Sequence, residues 1–165
     1  MKFVSYLKDE HDRLALLFEG SLFDMEVLHP DLPTNMSMFL NYWDDAVSMA
    51  KGGEIMIQEG KISRDKGIPF KSQHILSPVP FPTSCRDGYA FRQHVAAARR
   101  NRRVEMIPEF DQYPIFYFTN HHSIQGPGEI QCMPDHFEKL DFELECAIVI
   151  NRYGRNAAEP GTSEG

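Results

Sequence analysis

The stretch Leu140-Asp141-Phe142-Glu143-Leu144-Glu145-Cys146-Ala147-Ile148-Val149-Ile150 opens on strictly alternating apolar and acidic residues. A period of two belongs to a β-strand, in which residues two apart share a face. Asp141, Glu143 and Glu145 are therefore expected on one face that continues into Ala147 and Val149. Phe142, Leu144, Cys146, Ile148 and Ile150 are expected on an opposite, wholly apolar face. Successive carboxylates would stand roughly 7 Å apart, from a rise of about 3.3 Å per residue. Like charges held that close on a half-buried strand raise the free energy unless a cation lies between them or water bathes the face. The stretch thus predicts either a divalent-metal site or an open acidic surface.

With 165 residues and 12% aromatics, the chain can build one ordinary core or two small ones around such a strand. No run approaches the roughly 18 apolar residues of a membrane span. Met1-Lys2-Phe3-Val4-Ser5 lacks the long apolar core of a signal peptide. The expectation is a cytoplasmic globular protein with no membrane partner. A net charge of −7 argues against nucleic acid, and the basic run Arg99-Arg100-Asn101-Arg102-Arg103 is local. Cys85, Cys132 and Cys146 are odd in number, widely spaced and free of any Cys-x-x-Cys. That argues against a disulfide framework and a structural zinc site, and predicts reduced thiols.

Phe3 to Leu7, Leu14 to Phe18 and Leu22-Phe23, with Glu19-Gly20-Ser21 as a turn, predict a small meander of strands. The prolines of Leu28-His29-Pro30-Asp31-Leu32-Pro33 then break the chain. Met36, Phe39, Leu40, Trp43, Val47 and Ala50 recur at helical spacing, predicting an amphipathic helix capped by Thr34 or Asn35 and ended by Gly52-Gly53. Residues 54–60 fit a second helical piece or a strand. Pro78, Pro80 and Pro82 impose an extended conformation. A junction near residue 75 is expected, giving a small N-terminal α+β domain at 1–75, a larger one at 76–155, and a tail at 156–165 too polar to bury a core. Ser84-Cys85-Arg86-Asp87 resembles a capping box and predicts a helix from about Gly88 to Arg100, with Phe91, His94, Val95 and Ala98 on one side. Tyr113 to Phe118 reads as a strand, and Gln125-Gly126-Pro127-Gly128 as a turn.

Ser77-Pro78-Val79-Pro80, Arg86-Asp87-Gly88-Tyr89-Ala90-Phe91-Arg92-Gln93-His94, Pro114-Ile115-Phe116-Tyr117-Phe118-Thr119-Asn120, Gly126-Pro127-Gly128 and Leu140-Asp141-Phe142-Glu143-Leu144-Glu145 follow one another in the sequence. In that order, over roughly residues 76–156, they resemble the fumarylacetoacetate hydrolase family. The resemblance implies an α+β, mostly β, mixed-sheet catalytic fold that binds Mg²⁺, Mn²⁺ or Ca²⁺ and works as a homodimer in the full-length form. It implies a small-molecule oxo-acid substrate and a hydrolase that cleaves a carbon–carbon bond in a β-diketone or acylpyruvate, as in the catabolism of aromatic compounds. Oxaloacetate decarboxylation, isomerisation and hydration also occur among such enzymes.

Position by position, the resemblance makes Glu143 and Glu145 paired metal ligands, and Asp87 a further one. Tyr89 matches a substrate-contacting residue and His94 the histidine that activates water. Arg103, in the basic run, is the candidate for holding a substrate carboxylate. Each has a plainer alternative: Glu143 and Glu145 as a solvated face, Asp87 as a first-turn carboxylate at a helix start, His94 as a packed core histidine, Tyr89 as packing. The family's last ligating Asp, its catalytic Lys and the acidic partner of its histidine lie downstream of the glutamate strand. The sequence therefore reads as the N-terminal portion of such an enzyme, either active once completed or an inactive remnant that acts only by folding or by partner association.

Overall fold

A computed structural model describes residues 1–155, with the backbone alone at 135–137. The tail expected at 156–165 lies outside the described residues. The opening meander forms as expected from β1 (Phe3–Lys8), β2 (His11–Phe18) and β3 (Ser21–Asp24). The β1–β2 turn is Asp9-Glu10 with φ of 49° and 63°, and the β2–β3 turn is Glu19-Gly20 with φ of 46° and 82°. Two-residue turns with positive φ match the right-handed twist of the strands they join, and Gly20 meets that demand without a Cβ. Residue pairs Lys8↔His11 and Phe18↔Ser21 close the two hairpins.

Helices α1 (Met25–Leu28), α2 (Met36–Asn41) and α3 (Trp43–Gln58) follow. Asn35 is the cap of α2, its side chain accepting from Met38 N at 2.9 Å. The helical stripe breaks at Tyr42 and resumes, so the one expected helix is two. Gly52-Gly53 does not end it: α3 runs on to Gln58, which also settles residues 54–60 as helix. The reason lies outside the helix. A Cβ on Gly53 would stand 2.7 Å from Leu28 Cβ, so the glycine lets α1 approach the α3 backbone. Tertiary contact outweighs the glycine's propensity cost of about 1 kcal/mol.

Short strands β4 (Ile68–Pro69) and β5 (His74–Ile75) complete a five-stranded sheet of order β4-β3-β2-β1-β5. Alternation divides its residues between two clusters. Leu14, Leu16 and Phe23 pack with Met25, Leu28, Phe39, Ala46, Ala50 and Ile57 of the helices, while Tyr6, Ala15 and Leu22 form a smaller cluster with Ile68, Phe70 and Ile75. Asp24, at the end of β3, gathers the polar groups that burial leaves. Its carboxylate accepts from Tyr6 Oη at 2.7 Å and from Arg13 Nη2 at 2.6 Å and Nε at 3.0 Å. It also accepts from Glu26 N at 3.2 Å, capping α1. Past β5, Ser5 Oγ donates to Pro78 O at 2.9 Å, carrying the extended proline segment along the β1 edge.

The second half contains β6 (Arg86–Gly88), α4 (Arg92–Asn101) and β7 (Phe116–Phe118), with β6 and β7 forming an antiparallel ladder. This corrects two expectations. The helix begins at Arg92 rather than near Gly88, because the backbone of residues 86–88 is taken by the ladder, and Asp87 is a strand residue rather than a helix-start carboxylate. The run from Tyr113 contributes only its last three residues to a strand. The largest correction concerns residues 140–150, which form no strand among the described residues. Phe142, Leu144, Ile148 and Ile150 are 80–95% exposed. A strand is held by ladder bonds and a covered apolar face, and here neither partner strand nor cover is at hand. The described residues thus form a mixed α and β architecture, well packed around β1–β3 and more open after residue 80. Cys85, Cys132 and Cys146 are free thiols, as expected.

Candidate functional site

The β6–β7 ladder sorts its side chains by the alternation of a strand pair. Arg86 lies over the Phe116 and Phe118 rings, at 5.7 and 4.7 Å from their centroids. That face is aromatic and cationic. Asp87 pairs with Tyr117 in the ladder register, and on their side Tyr117 Oη donates to Asp87 Oδ2 at 2.6 Å. Tyr89, next but one after Asp87, extends the ladder through its N–H to Ile115 O at 3.0 Å. Its ring meets His94 edge-on at 5.7 Å and Phe110 at 6.3 Å.

His94 sits in the first turn of α4, its side chain 56% exposed. The N-terminus of that helix lacks a side-chain cap. It is tied down instead by Arg92, which grips Asp111 through Nε at 2.9 Å and Nη2 at 3.1 Å. Val95, next to His94, is the one residue of α4 that is fully buried. His94 therefore points away from a core position, and the packed-histidine alternative does not hold.

Glu143 brings the acidic stretch to this place: its Oε1 lies 3.9 Å from His94 Nε2. The Tyr117 phenol is held above its ordinary range, first because it donates to the Asp87 carboxylate, with the negative charges of Asp87, Glu145 and Glu143 pushing the same way. Tyr117 thus pairs with Asp87, and Tyr89, His94 and Glu143, from separate stretches of chain, follow one another in contact beside them. Arg103 does not join them. It follows α4 with a φ of 58°, its N–H bonded to Arg100 O at 3.0 Å, and among the described residues no contact ties its guanidinium to the carboxylates.

The sequence reading missed Tyr117. Its signal was available in the alternation of Phe116-Tyr117-Phe118, which puts the one hydroxyl of the run on the face opposite the two phenylalanines.

Asp87, Glu143 and Glu145 supply hard carboxylate oxygens, the donor type that Mg²⁺, Mn²⁺ and Ca²⁺ take. The set fits such an ion in donor type but not in the spacing of its side chains. Among the described residues, no three acid, histidine or cysteine side chains stand close enough together to hold one. With Glu143 67% exposed, water relieves the repulsion between these carboxylates in the described arrangement. A separate cavity of about 380 Å³ lies at the other end of the chain, lined by Leu32, Pro33, Met38, Tyr42 and Met49, and contains none of these residues.

Residues 83–164 match the family model described as fumarylacetoacetate (FAA) hydrolase C-terminal. The chain is 24% identical over 162 residues to a fumarylacetoacetate hydrolase domain-containing protein 2 homolog of Dictyostelium discoideum, covering 96% of this chain and 49% of that protein. It is 26% identical over 153 residues to oxaloacetate tautomerase Fahd2a, mitochondrial, of Rattus norvegicus, covering 92% and 44%. With oxaloacetate tautomerase FAHD2B, mitochondrial, of Homo sapiens it shares 24% identity over 139 residues, covering 83% and 39%. The chain thus spans less than half the length of these curated relatives. Two of the three names carry a mitochondrial address, which gives the cytoplasmic expectation no support. Among the described residues no helix is long and apolar enough to cross a membrane.

Proposed function

Starting from a chain that belongs to the fumarylacetoacetate hydrolase family through residues 83–164, we propose that it contributes to a site that interconverts the keto and enol forms of a small β-oxo acid. The observation that carries this reading is His94 with the Glu143 carboxylate 3.9 Å from its Nε2, on the helix that follows the strand of Asp87, the partner of Tyr117. Enolisation needs a base that takes a proton from the carbon beside a carbonyl, and a group that returns it to oxygen or carbon. His94 is the base in this reading. An imidazole can both take up and return a proton, and the Glu143 carboxylate stands 3.9 Å from its Nε2. Tyr89 packs edge-on against the His94 ring.

Asp87, Glu143 and Glu145 are the residues that would hold a divalent cation, Mg²⁺ or Mn²⁺ first. Such an ion, when bound, polarises a carbonyl oxygen and stabilises the negative charge of an enolate. The names of the rat and human relatives, both oxaloacetate tautomerases, favour a four-carbon oxo diacid as substrate.

Two measurements test the reading. Calorimetric titration with Mg²⁺ and Mn²⁺ is expected to give binding in the wild-type chain and at least tenfold weaker binding in the Glu143→Ala/Glu145→Ala variant. Loss of the oxaloacetate enol absorbance is expected to run faster with the wild-type chain and metal than with the variant. Equal affinity in both proteins removes the metal assignment, and equal enol loss removes the tautomerase. A second reading, carbon–carbon hydrolysis of an acylpyruvate, is favoured by the His94–Glu143 pair, since an imidazole beside a carboxylate is also the arrangement that activates water. Acylpyruvate cleavage assayed alongside separates the two, and flat results in both assays would leave the inactive remnant.

A further inference from the structure

We propose that residues 140–150 are a self-pairing edge, on which a second copy of this chain docks its own 140–150 antiparallel, about a two-fold axis at Cys146. Phe142, Leu144, Ile148 and Ile150 are 86, 95, 87 and 80% exposed, whereas Val149, on the other parity, is 49% exposed. The odd-numbered side turns toward its own chain, with Glu143 at 3.9 Å from His94 Nε2. The even-numbered side is a row of large apolar side chains in water. Among the described residues, the one hydrogen bond within 141–150 is local, from Phe142 N to Asp141 Oδ1 at 2.9 Å. No backbone group there bonds to another backbone group. Unpaired N–H and C=O groups beside an exposed apolar row are a template for another strand.

The order of charges decides which strand fits and in which register. Asp141, Glu143 and Glu145 all lie in the first half of the stretch, and Cys146 to Ile150 carry no charge. A parallel copy in register would set each carboxylate opposite its own kind, which destabilises a sheet. An antiparallel copy sets the acidic half against the neutral half. With Cys146 on the axis, Glu145 faces Ala147, Glu143 faces Val149, and Asp141 faces Asn151, whose amide can donate to it. On the other side Phe142 faces Ile150 and Leu144 faces Ile148, so each member of the apolar row meets another. An axis one residue earlier would set Glu145 against Glu145, and one residue later would set Phe142 against Arg152. Cys146 is the position that suits both faces. A foreign strand would have to bring this same pattern, which a second copy already carries. The pairing stands apart from the cation and the reaction proposed above, and neither enters its test.

Light scattering on the reduced chain is expected to give a mass that rises with concentration from one chain to two. Leu144→Lys, at a 95% exposed position, is expected to hold it at one with an unchanged far-ultraviolet circular dichroism spectrum. Register is read by oxidised glutathione in a Cys85→Ser/Cys132→Ser background. Cys146, an exposed free thiol, meets its own copy on the axis. Directly opposed residues of an antiparallel pair lie within the Cα separation of about 4.4–6.8 Å that a disulfide bridges, so a covalent dimer is expected. With Cys146→Ser and Ile148→Cys the two thiols stand four residues apart, about 13 Å at a rise of about 3.3 Å, and no covalent dimer is expected. Adding Leu144→Cys should restore it, because position 144 faces position 148. A one-chain mass at every concentration overturns the proposal, whether the stretch stays bare or something other than a second copy covers it. A dimer that survives Leu144→Lys, or one that Ile148→Cys alone cross-links as well as Cys146 does, also overturns it. The cross-links decide the matter even where Leu144→Lys fails to fold.

Discussion

Gly52 and Gly53 are adjacent in the middle of α3, and alanine at each should move stability in opposite directions. Both substitutions remove the helix-interior penalty of glycine, a gain of about 1 kcal/mol. At Gly52 nothing lies within 4 Å of the new Cβ, so Gly52→Ala keeps the whole gain. At Gly53 the Cβ would stand 2.7 Å from Leu28 Cβ and 3.3 Å from Leu28 Cγ and Cδ2. Carbon atoms prefer about 3.5–4.0 Å. The nearest of the three is Leu28 Cβ, close to the backbone, so no rotamer change relieves the contact and α1 must move off α3. Overpacking of this kind costs about 1–3 kcal/mol. Gly53→Ala is therefore expected to fall about 1–3 kcal/mol below Gly52→Ala, the difference cancelling the propensity gain they share. Urea denaturation followed by far-ultraviolet circular dichroism reads both, provided the slopes agree so that midpoints report stability. Leu28→Ala in the Gly53→Ala background should relieve only the two 3.3 Å contacts, because alanine keeps the Cβ that stands at 2.7 Å. If both glycine variants gain equally, α1 does not rest on α3 at Gly53 and the account of why the helix continues through the pair is wrong.

Two further outcomes bear on the buried network and the site. Burial pushes the Asp24 carboxyl up, but the bonds from Arg13, Tyr6 and Glu26 N overrule it, and its titration lies below the ordinary carboxylate range. Since the folded value is the depressed one, the stability it contributes is fully present above the unfolded value of about 3.9 and is lost as pH falls below it toward the folded value. Asp24→Asn is expected to cost about 1.5–3 kcal/mol at pH 7, the worth of a hydrogen bond to a charged group. It should also flatten that part of the acid limb in urea midpoints taken between pH 6 and pH 2. At the site, His94→Asn should lower tautomerisation by about 10²–10⁴-fold, the usual contribution of a general base. Its melting temperature should hold, because the side chain is more than half exposed. A variant that melts early would mark His94 as structural.

Local chemistry made much of the N-terminal half legible. The hairpins β1–β2–β3 follow from alternation and from turn residues, and the start of α2 from the Asn35 cap, since those signals act within a few residues of chain. Of the residues singled out for the candidate site, Tyr89, His94 and Glu143 lie in contact one with the next, and Asp87 lies in the ladder two residues before Tyr89. Arg103 was singled out from charge alone, and charge on a helix end says nothing of where the guanidinium points. Tyr117 was passed over because its partner lies 30 residues away, a separation at which only the register of a ladder brings two side chains into contact.

The amino-acid order by itself determined the turn chemistry of the N-terminal hairpins and the apolar stripes of β1–β3 and of the helices that follow. All of these are properties of near neighbours in the chain. Tertiary structure alone decided that Gly52-Gly53 lies inside a helix, since the contact with Leu28 repays a penalty that local propensity counts as a stop. It decided that Asp87 belongs to a strand, through pairing with Tyr117. It also decided that the stretch from Leu140 to Ile150, the most strand-like pattern in the chain, forms none among the described residues. Alternation assigns the two faces of a strand, but the strand exists only where another supplies the hydrogen bonds and a second layer covers the apolar side.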